Sequence, residues 1–281
     1  MIKLIHTIKE AREYVAGVKA RGAGIGFVPT MGALHEGHLE LVRAAGKDYQ
    51  EVIVSIFVNP IQFNNQEDLQ KYPRTLESDL RQLQSTPCTM VFAPSVEEMY
   101  PEPDQTVIDF GPIESVMEGK FRPGHFRGVG IVVKKFFEII TPDEAFFGEK
   151  DFQQLAIIKK LVSLFSIPVK ITGCVTIREN DGLAMSSRNQ RLTPEERKIA
   201  PFIYQALQKA AEDYSWFTPQ GLEKMIIGEI EQNPELRVEY VAVADATTLM
   251  PFNDWEDVNE AVVCVAVFLG QVRLIDNMRL Y

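Results

Sequence analysis

The sequence predicts an α/β protein, with a parallel sheet covered by helices in residues 1–176 and a smaller α+β domain in residues 177–281. Three observations predict it. Short Val- and Ile-rich runs alternate with amphipathic stretches of roughly 3.6-residue period through the first part. Beyond residue 176 strand-like runs dominate and helices become few. The 281 residues, 46% of them hydrophobic, suffice for one large or two medium domains.

The elements follow in order. "HTIKEAREYVAGVKARG" has the apolar spacing of a helix. "GIGFVPT" is a short apolar run after glycines and reads as a buried strand. "HLELVRAAGKDY" is amphipathic and helical, and "EVIVSIFVNP" is a second central strand ended by Asn-Pro. "EDLQKYPRTLESDLRQLQS" is helical, with Pro73 breaking or starting an element. "TMVFAPS" is a third strand. "VGIVVKKFFEII" is a helix and "EAFFGEK" a strand with its loop. "DFQQLAIIKKLVSLF" is again helix and "VKITGCVT" strand. Strands alternating with helices imply parallel pairing. In the second part, Thr193-Pro194-Glu195-Glu196 matches an N-cap, a proline at the first helical position and acids in the first turn. The helix after it is followed by the strands "LRVEYVAVADATTL", "AVVCVAVFLG" and "VRLIDNMRL".

The segment "IKLIHTIKEAREYV" is amphipathic and lacks the apolar block of a signal peptide, and no apolar run is long enough to span a bilayer. A cytoplasmic protein with no membrane partner is expected. Cys88, Cys174 and Cys264 are odd in number and form no CxxC pair, so three buried reduced thiols are expected rather than a disulfide framework or zinc knot. Thirty-nine acids against twenty-nine bases give a formal charge of -10, which argues against a nucleic-acid face while leaving room for a local anion site.

Two motifs carry chemistry. In "PTMGALHEGH" a strand end runs into a helix start, where open parallel sheets bind ligands. Gly32 and Gly37 permit close backbone approach. Free N–H groups and the positive dipole end attract phosphate. His35 and His38, three apart, share one side of the first turn and can donate to phosphoryl oxygens. A metalloprotease helix would need histidines four apart; a metal pair would need a third ligand that the sequence does not show; two incidental surface histidines also fit the spacing. The glycines of "GAGIGF" precede the strand, contrary to a dinucleotide fingerprint. In "GLAMSSRN", Ser186, Ser187 and Arg188 follow Gly182; consecutive hydroxyls and a guanidinium can wrap a polyphosphate, or can simply form a polar loop or cap. Lying between the two expected domains, the segment suits a clamp.

Five strings in order make a more specific pattern: "PTMGALHEGHLELV", "SIFVNPIQF", "FRPGHFRGV", "FFGEKDFQQL" and "DGLAMSSRN". "MGALHEGH" and "MSSR" resemble the two signatures of the nucleotidyltransferase superfamily, and the whole set resembles the pantothenate synthetase (pantoate–β-alanine ligase) family. The strings span residues 29–189, and the length and strand-rich tail extend the likeness over nearly the whole chain. The resemblance implies a Rossmann-like domain binding nucleotide and pantoate, then a C-terminal lid domain. It implies ligation of (R)-pantoate to β-alanine with ATP, through a pantoyl adenylate, releasing pyrophosphate and AMP. It also implies Mg²⁺ and a homodimer.

By the same resemblance, Met31, Gly32, Ala33, Leu34, His35, Glu36, Gly37 and His38 line the ATP site. His35, His38 and Lys150 are the catalytic residues, and charge stabilisation suits adenylation better than obligatory proton transfer. Gly148, Glu149, Lys150 and Asp151 form a second ATP loop, with Lys150 on phosphate and Asp151 on ribose. Ser186, Ser187 and Arg188 close on the phosphates, and Ile177 and Met185 complete the ATP contacts. Asn59, Gln62 and Gln154 serve pantoate and β-alanine, with Gln154 expected to meet Gln62 across the pocket. Arg122 and His125 belong to a polar loop near the substrate. Met185 and Phe152 stand where the family often has Leu and Tyr, small departures. An aminoacyl-tRNA synthetase would share the two signatures but need a tRNA surface. An adenylyltransferase would lack the glutamine pair. A non-enzymatic nucleotide-binding module would bind ATP without turnover.

Overall fold

A computed structural model describes residues 2–280, which fall into two compact units. The first unit comprises the chain through Gly111, Arg122–Glu149 and Gln154–Val175; the second comprises Pro112–Phe121, Lys150–Gln153 and the chain from Thr176.

The first unit begins with β1 (Lys3–Ile5) and α1 (Ile8–Ala20), capped by the Thr7 hydroxyl. Then come β2 (Ile25–Thr30), α2 (Glu36–Asp48) and β3 (Glu51–Ile56). The next helical stretch is broken around Pro73, as the sequence predicts, into α3 (Gln66–Lys71) and α4 (Leu76–Leu83). β4 (Cys88–Phe92) and the short α5 (Val96–Met99) follow. α6 (Met117–Phe121) belongs to the second unit. α7 (His125–Ile140), β5 (Glu144–Gly148), α8 (Phe152–Leu164) and β6 (Lys170–Cys174) complete the expected alternation.

The strands form one parallel sheet ordered β1-β4-β3-β2-β5-β6. Successive residues of β2 face opposite sides. Val28 joins Leu39, Val42 and Ala45 of α2 in one apolar cluster. Phe27 meets Phe136 and Phe137 of α7 edge-on, with ring centroids 5.8 and 6.4 Å apart. Burial on both faces explains why these strands are continuously apolar. From β2 the chain proceeds outward through β3 and β4; it then returns to place β5 on the other side of β2. β2 and β5 therefore flank a topological switch point, and the sequence "MGALHEGH" leaves the carboxyl end of β2 there.

The second unit contains α9 (Pro194–Ile199), α10 (Phe202–Asp213), α11 (Pro219–Ile230) and an antiparallel sheet of β7 (Leu236–Asp245), β8 (Ala261–Leu269) and β9 (Val272–Leu280). Thr193 caps α9 and Pro194 opens it, as the sequence predicts, and the Glu196 side chain reaches back to complete a capping box. Ile203, Leu207, Leu222 and Ile226 pack with Val243, Val263, Val265 and Leu274 in the core. Here α6 joins the sheet: Phe121 stacks on Tyr240 at 5.4 Å, and Glu118 accepts from Arg273 at 2.7 and 2.9 Å. Cys88 and Cys264 are buried, and burial pushes each thiol up to about 12. Cys174 is only half-buried, a correction to the expected three buried thiols; it lies on the edge strand β6, which has a neighbour on one side alone. Among the described residues no helix is long and apolar enough to cross a membrane.

Candidate active site

The turn after β2 is built by hydrogen bonds. Thr30 Oγ1 donates to the Ser55 carbonyl at 2.7 Å and accepts from the Gly32 N–H at 3.2 Å. Gly32 has φ +80, where a side chain would be strained, and an added Cβ would press on Asp79 and Ile56 at 3.0 Å. The next residue, Ala33, also has positive φ. Asp79 of α4 has 0% exposure, and its two oxygens accept from the N–H groups of Ala33 at 3.1 Å and Leu34 at 2.9 Å. Thr75 Oγ1 donates to the same carboxylate at 3.2 Å. The amides of Ala33 and Leu34 are therefore taken up by Asp79 and hold the turn.

His35 caps α2 in extended backbone, and its carbonyl accepts from the N–H groups of His38 and Leu39 at 2.8 and 3.2 Å. The His35 N–H donates to His38 Nδ1 at 3.3 Å. The ring centroids are 4.0 Å apart, so the three-residue spacing does bring both imidazoles to one side of the first turn. An accepting Nδ1 places the ring proton of neutral His38 on Nε2, which becomes a donor at the positive end of a thirteen-residue helix. Gly37 is half-buried in the first turn of α2, whereas Glu36 is exposed and pairs with Arg43.

The polar group after β3 is set with equal care. Asn59 is 1% exposed; its Nδ2 donates to Gln62 Oε1 at 3.2 Å and to the Gly128 carbonyl at 3.0 Å. Its Oδ1 accepts from the Tyr100 hydroxyl at 3.0 Å. Burial, then the charge of Asp104, raises the Tyr100 phenol, which remains a protonated donor. With Oε1 of Gln62 accepting, its Nε2 must donate, and it faces Met31 Sδ at 3.1 Å. A thioether is a weak acceptor, and a carboxylate or hydroxyl oxygen would be a stronger one. Arg122 Nη1 lies 3.1 Å from His125 Nε2, and His125 Nδ1 lies 2.9 Å from the Gln62 carbonyl. Arginine only donates, so His125 accepts at Nε2 and donates at Nδ1. A Cβ on Gly128 would come within 2.7 Å of the Gln62 backbone, so glycine is what lets α7 lie against this turn. Asn59, Arg122 and His125 thus act on Gln62. No hydrogen bond joins Gln62 to Gln154, which is half-buried on α8.

In the second unit, Lys150 sits in the short turn Glu149–Asp151 that follows Gly148, the last residue of β5. Its ammonium is 4.0 Å from Asp151, the outer limit of an ion pair. Ile177 and Met185 close a narrow hairpin: the Met185 N–H donates to the Ile177 carbonyl at 3.0 Å, and Arg178 bridges to Ala184. Ser186 accepts from the Arg188 N–H at 3.3 Å and caps the turn Ser187–Arg191. Phe152, at the start of α8, lies under the Arg279 guanidinium at 5.1 Å, which gives this ring a packing role that needs no hydroxyl.

Sequence reading missed Asp79, Tyr100 and Gly128. Gly128 lies within "FRPGHFRGV", but nothing local marks the other two. Among the described residues no group of three or more His, Cys, Asp or Glu side chains could hold a metal ion.

A family model described as pantoate-beta-alanine ligase matches residues 3–279. The pantothenate synthetase of Bacteroides thetaiotaomicron is 48% identical over 278 residues, covering 99% of each chain. That of Porphyromonas gingivalis is 47% identical with the same coverage. A crystal structure of pantothenate synthetase from Thermus thermophilus has a TM-score of 0.92 at 41% identity and 99% coverage of both chains. That of pantoate-beta-alanine ligase from Francisella tularensis, complexed with beta-gamma ATP and beta-alanine, has a TM-score of 0.83 at 36% identity, covering 99% of this chain and 97% of that one.

Proposed function

The chain belongs to the pantoate-beta-alanine ligase family, and from that premise we propose how its residues carry the reaction. It joins (R)-pantoate to β-alanine at the expense of ATP. In the first step a pantoate carboxylate oxygen bonds to the α-phosphorus, and the bond from that phosphorus to the bridging oxygen of pyrophosphate breaks. In the second, the β-alanine amine attacks the acyl carbon of pantoyl adenylate; the carbon–oxygen bond breaks, AMP leaves and the amine loses a proton to solvent. No covalent enzyme intermediate is needed.

The observation that carries the assignment of roles is the His35–His38 pair at the start of α2, beyond the switch point of the sheet. His38 Nε2–H donates to phosphate oxygens and stabilises charge as the phosphorus–oxygen bond breaks, and His35 supports it. Met31, Gly32 and Gly37 give the nucleotide a close backbone approach; Ala33 and Leu34 are the buried frame of that turn. Gln62 Nε2 exchanges Met31 sulfur for a pantoate oxygen, with Asn59 holding its amide, and Gln154 supplies a second neutral amide. Lys150 brings a compact positive charge to phosphate, Asp151 accepts from ribose hydroxyls, and Gly148 and Glu149 frame their turn. Ser186, Ser187 and Arg188 donate to phosphates, and Ile177 and Met185 contact adenine.

Among the described residues no cluster of His, Cys, Asp or Glu would hold Mg²⁺ by protein ligands alone, so the ion would enter with the nucleotide, as suits its preference for phosphate and water over an all-protein cage. When bound it neutralises phosphate charge. A cytoplasmic homodimer is the form we propose, tested by light scattering.

The deciding experiment supplies ATP and Mg²⁺ with pantoate or β-alanine added singly and together. Pyrophosphate release that requires pantoate supports the reading. Release indifferent to pantoate would instead indicate an adenylyltransferase acting on another substrate.

A further inference from the structure

The backbone of Lys150 is hydrogen-bonded to a residue of the last strand. Asn277 of β9 is buried, and its Nδ2 donates to the Lys150 backbone carbonyl at 2.8 Å. A carbonyl can only accept, so the amide's nitrogen must be the end that faces it. Asn277 is itself held: its own N–H donates to Asp276 Oδ1 at 2.8 Å. Asp276, 5% exposed, takes a two-pronged contact from Arg178, with Nη1 at 2.6 Å and Nη2 at 2.9 Å. Arg178 also lies over the Tyr204 ring at 4.1 Å. Side chains of consecutive strand residues point to opposite faces, so Asp276 and Asn277 fix a polar partner on each side of β9. On one side that partner is the hairpin leading to Ser186–Arg188; on the other it is the turn that carries Lys150.

We propose that Asn277 is a positioning residue for Lys150: its amide fixes the backbone from which the ammonium reaches phosphate, and Asp276 with Arg178 fixes Asn277. The inference rests on the phosphate role proposed for Lys150. A lysine on a flexible stem loses effectiveness when its backbone anchor is free to drift, because the charge must meet the phosphate in the transition state rather than merely nearby.

The test is a double-mutant cycle between positions 277 and 150, read as the single-turnover rate of pantoate-dependent pyrophosphate release at high enzyme concentration. Asn277→Asp keeps the size and replaces the donor by an acceptor facing a carbonyl; Asn277→Ala removes the group and serves if the aspartate variant does not fold. Either should slow release at least about tenfold with the pantoate KM within about twofold of wild type. On a Lys150→Ala background the same change should slow release less than about twofold, because the misplaced group is already gone. Equal slowing on both backgrounds, or an Asn277 variant at the wild-type rate, would overturn the inference. Wild-type release by Lys150→Ala alone would instead overturn the role given to the lysine, and this inference with it.

Discussion

Replacing Asp79 by Asn probes the buried clamp beneath the histidine turn. The carboxylate is fully buried and accepts from Ala33 N–H at 3.1 Å, Leu34 N–H at 2.9 Å and Thr75 Oγ1 at 3.2 Å. An amide has one acceptor oxygen, so either rotamer turns an NH₂ group toward one of the two backbone donors. That leaves a buried N–H without an acceptor, which costs about 1–3 kcal/mol. The surviving bond passes from charge-assisted to neutral, a loss of about 1 kcal/mol. A neutral amide is less penalised by burial than a carboxylate, which moves the net toward the lower end, about 2 kcal/mol. At roughly 2–4 °C per kcal/mol, the unfolding midpoint should fall by about 4–8 °C. The same variant should slow pantoate-dependent pyrophosphate release, because the turn that presents His35 and His38 is no longer pinned. Scanning calorimetry and single-turnover kinetics read the two effects. A midpoint unchanged to within a degree, with full activity, would refute the clamp.

Other substitutions separate the roles. His38→Ala should slow adenylation by about 10²–10³, the range for losing one preorganised donor; a single-turnover rate within threefold of wild type would reject its part. Gln62→Ala should raise the pantoate KM about tenfold or more while ATP affinity, measured by calorimetry, stays nearly constant. Thr193→Ala removes the capping hydroxyl of α9 and should cost about 1 kcal/mol of stability by denaturant titration. Glu223 accepts from the Val243 N–H at 2.8 Å, but burial outweighs this bond and raises its carboxyl pKa. A carboxyl with a raised folded pKa stabilises the fold below its unfolded value, and that contribution is lost as pH rises through the folded value. Glu223→Gln keeps an acceptor and removes the charge, so it should melt higher than wild type near about pH 7 and match it near about pH 4.

The sheet and the histidine turn were legible because their signals are local. β2, β3 and β5 are short apolar runs, and the three-residue spacing of His35 and His38 fixes their shared side whatever lies around them. α11 was as legible as α9, since Thr218-Pro219 repeats the signal of Thr193-Pro194, yet the sequence reading passed over it. β1 spans only three residues, too few to show alternation, and exists because β4 offers it an edge. The support of the site is another matter. Asp79 meets Ala33 and Leu34 from 46 and 45 residues away, and Tyr100 meets Asn59 from 41. Such pairings follow from the fold's topology, and no window of sequence contains both partners. The same holds for Lys150 and Asn277, which are 127 residues apart. Arg122 and His125 were visible as a polar loop, but their action on the Gln62 carbonyl was not.

The route through pantoyl adenylate is tested most directly by tracing oxygen. With pantoate labelled by oxygen-18 in both carboxylate positions, one label must remain on phosphorus when the amine displaces AMP. The account predicts AMP carrying one labelled oxygen, pantothenate retaining the other in its amide carbonyl, and unlabelled pyrophosphate. Label in pyrophosphate, or none in AMP, would contradict it.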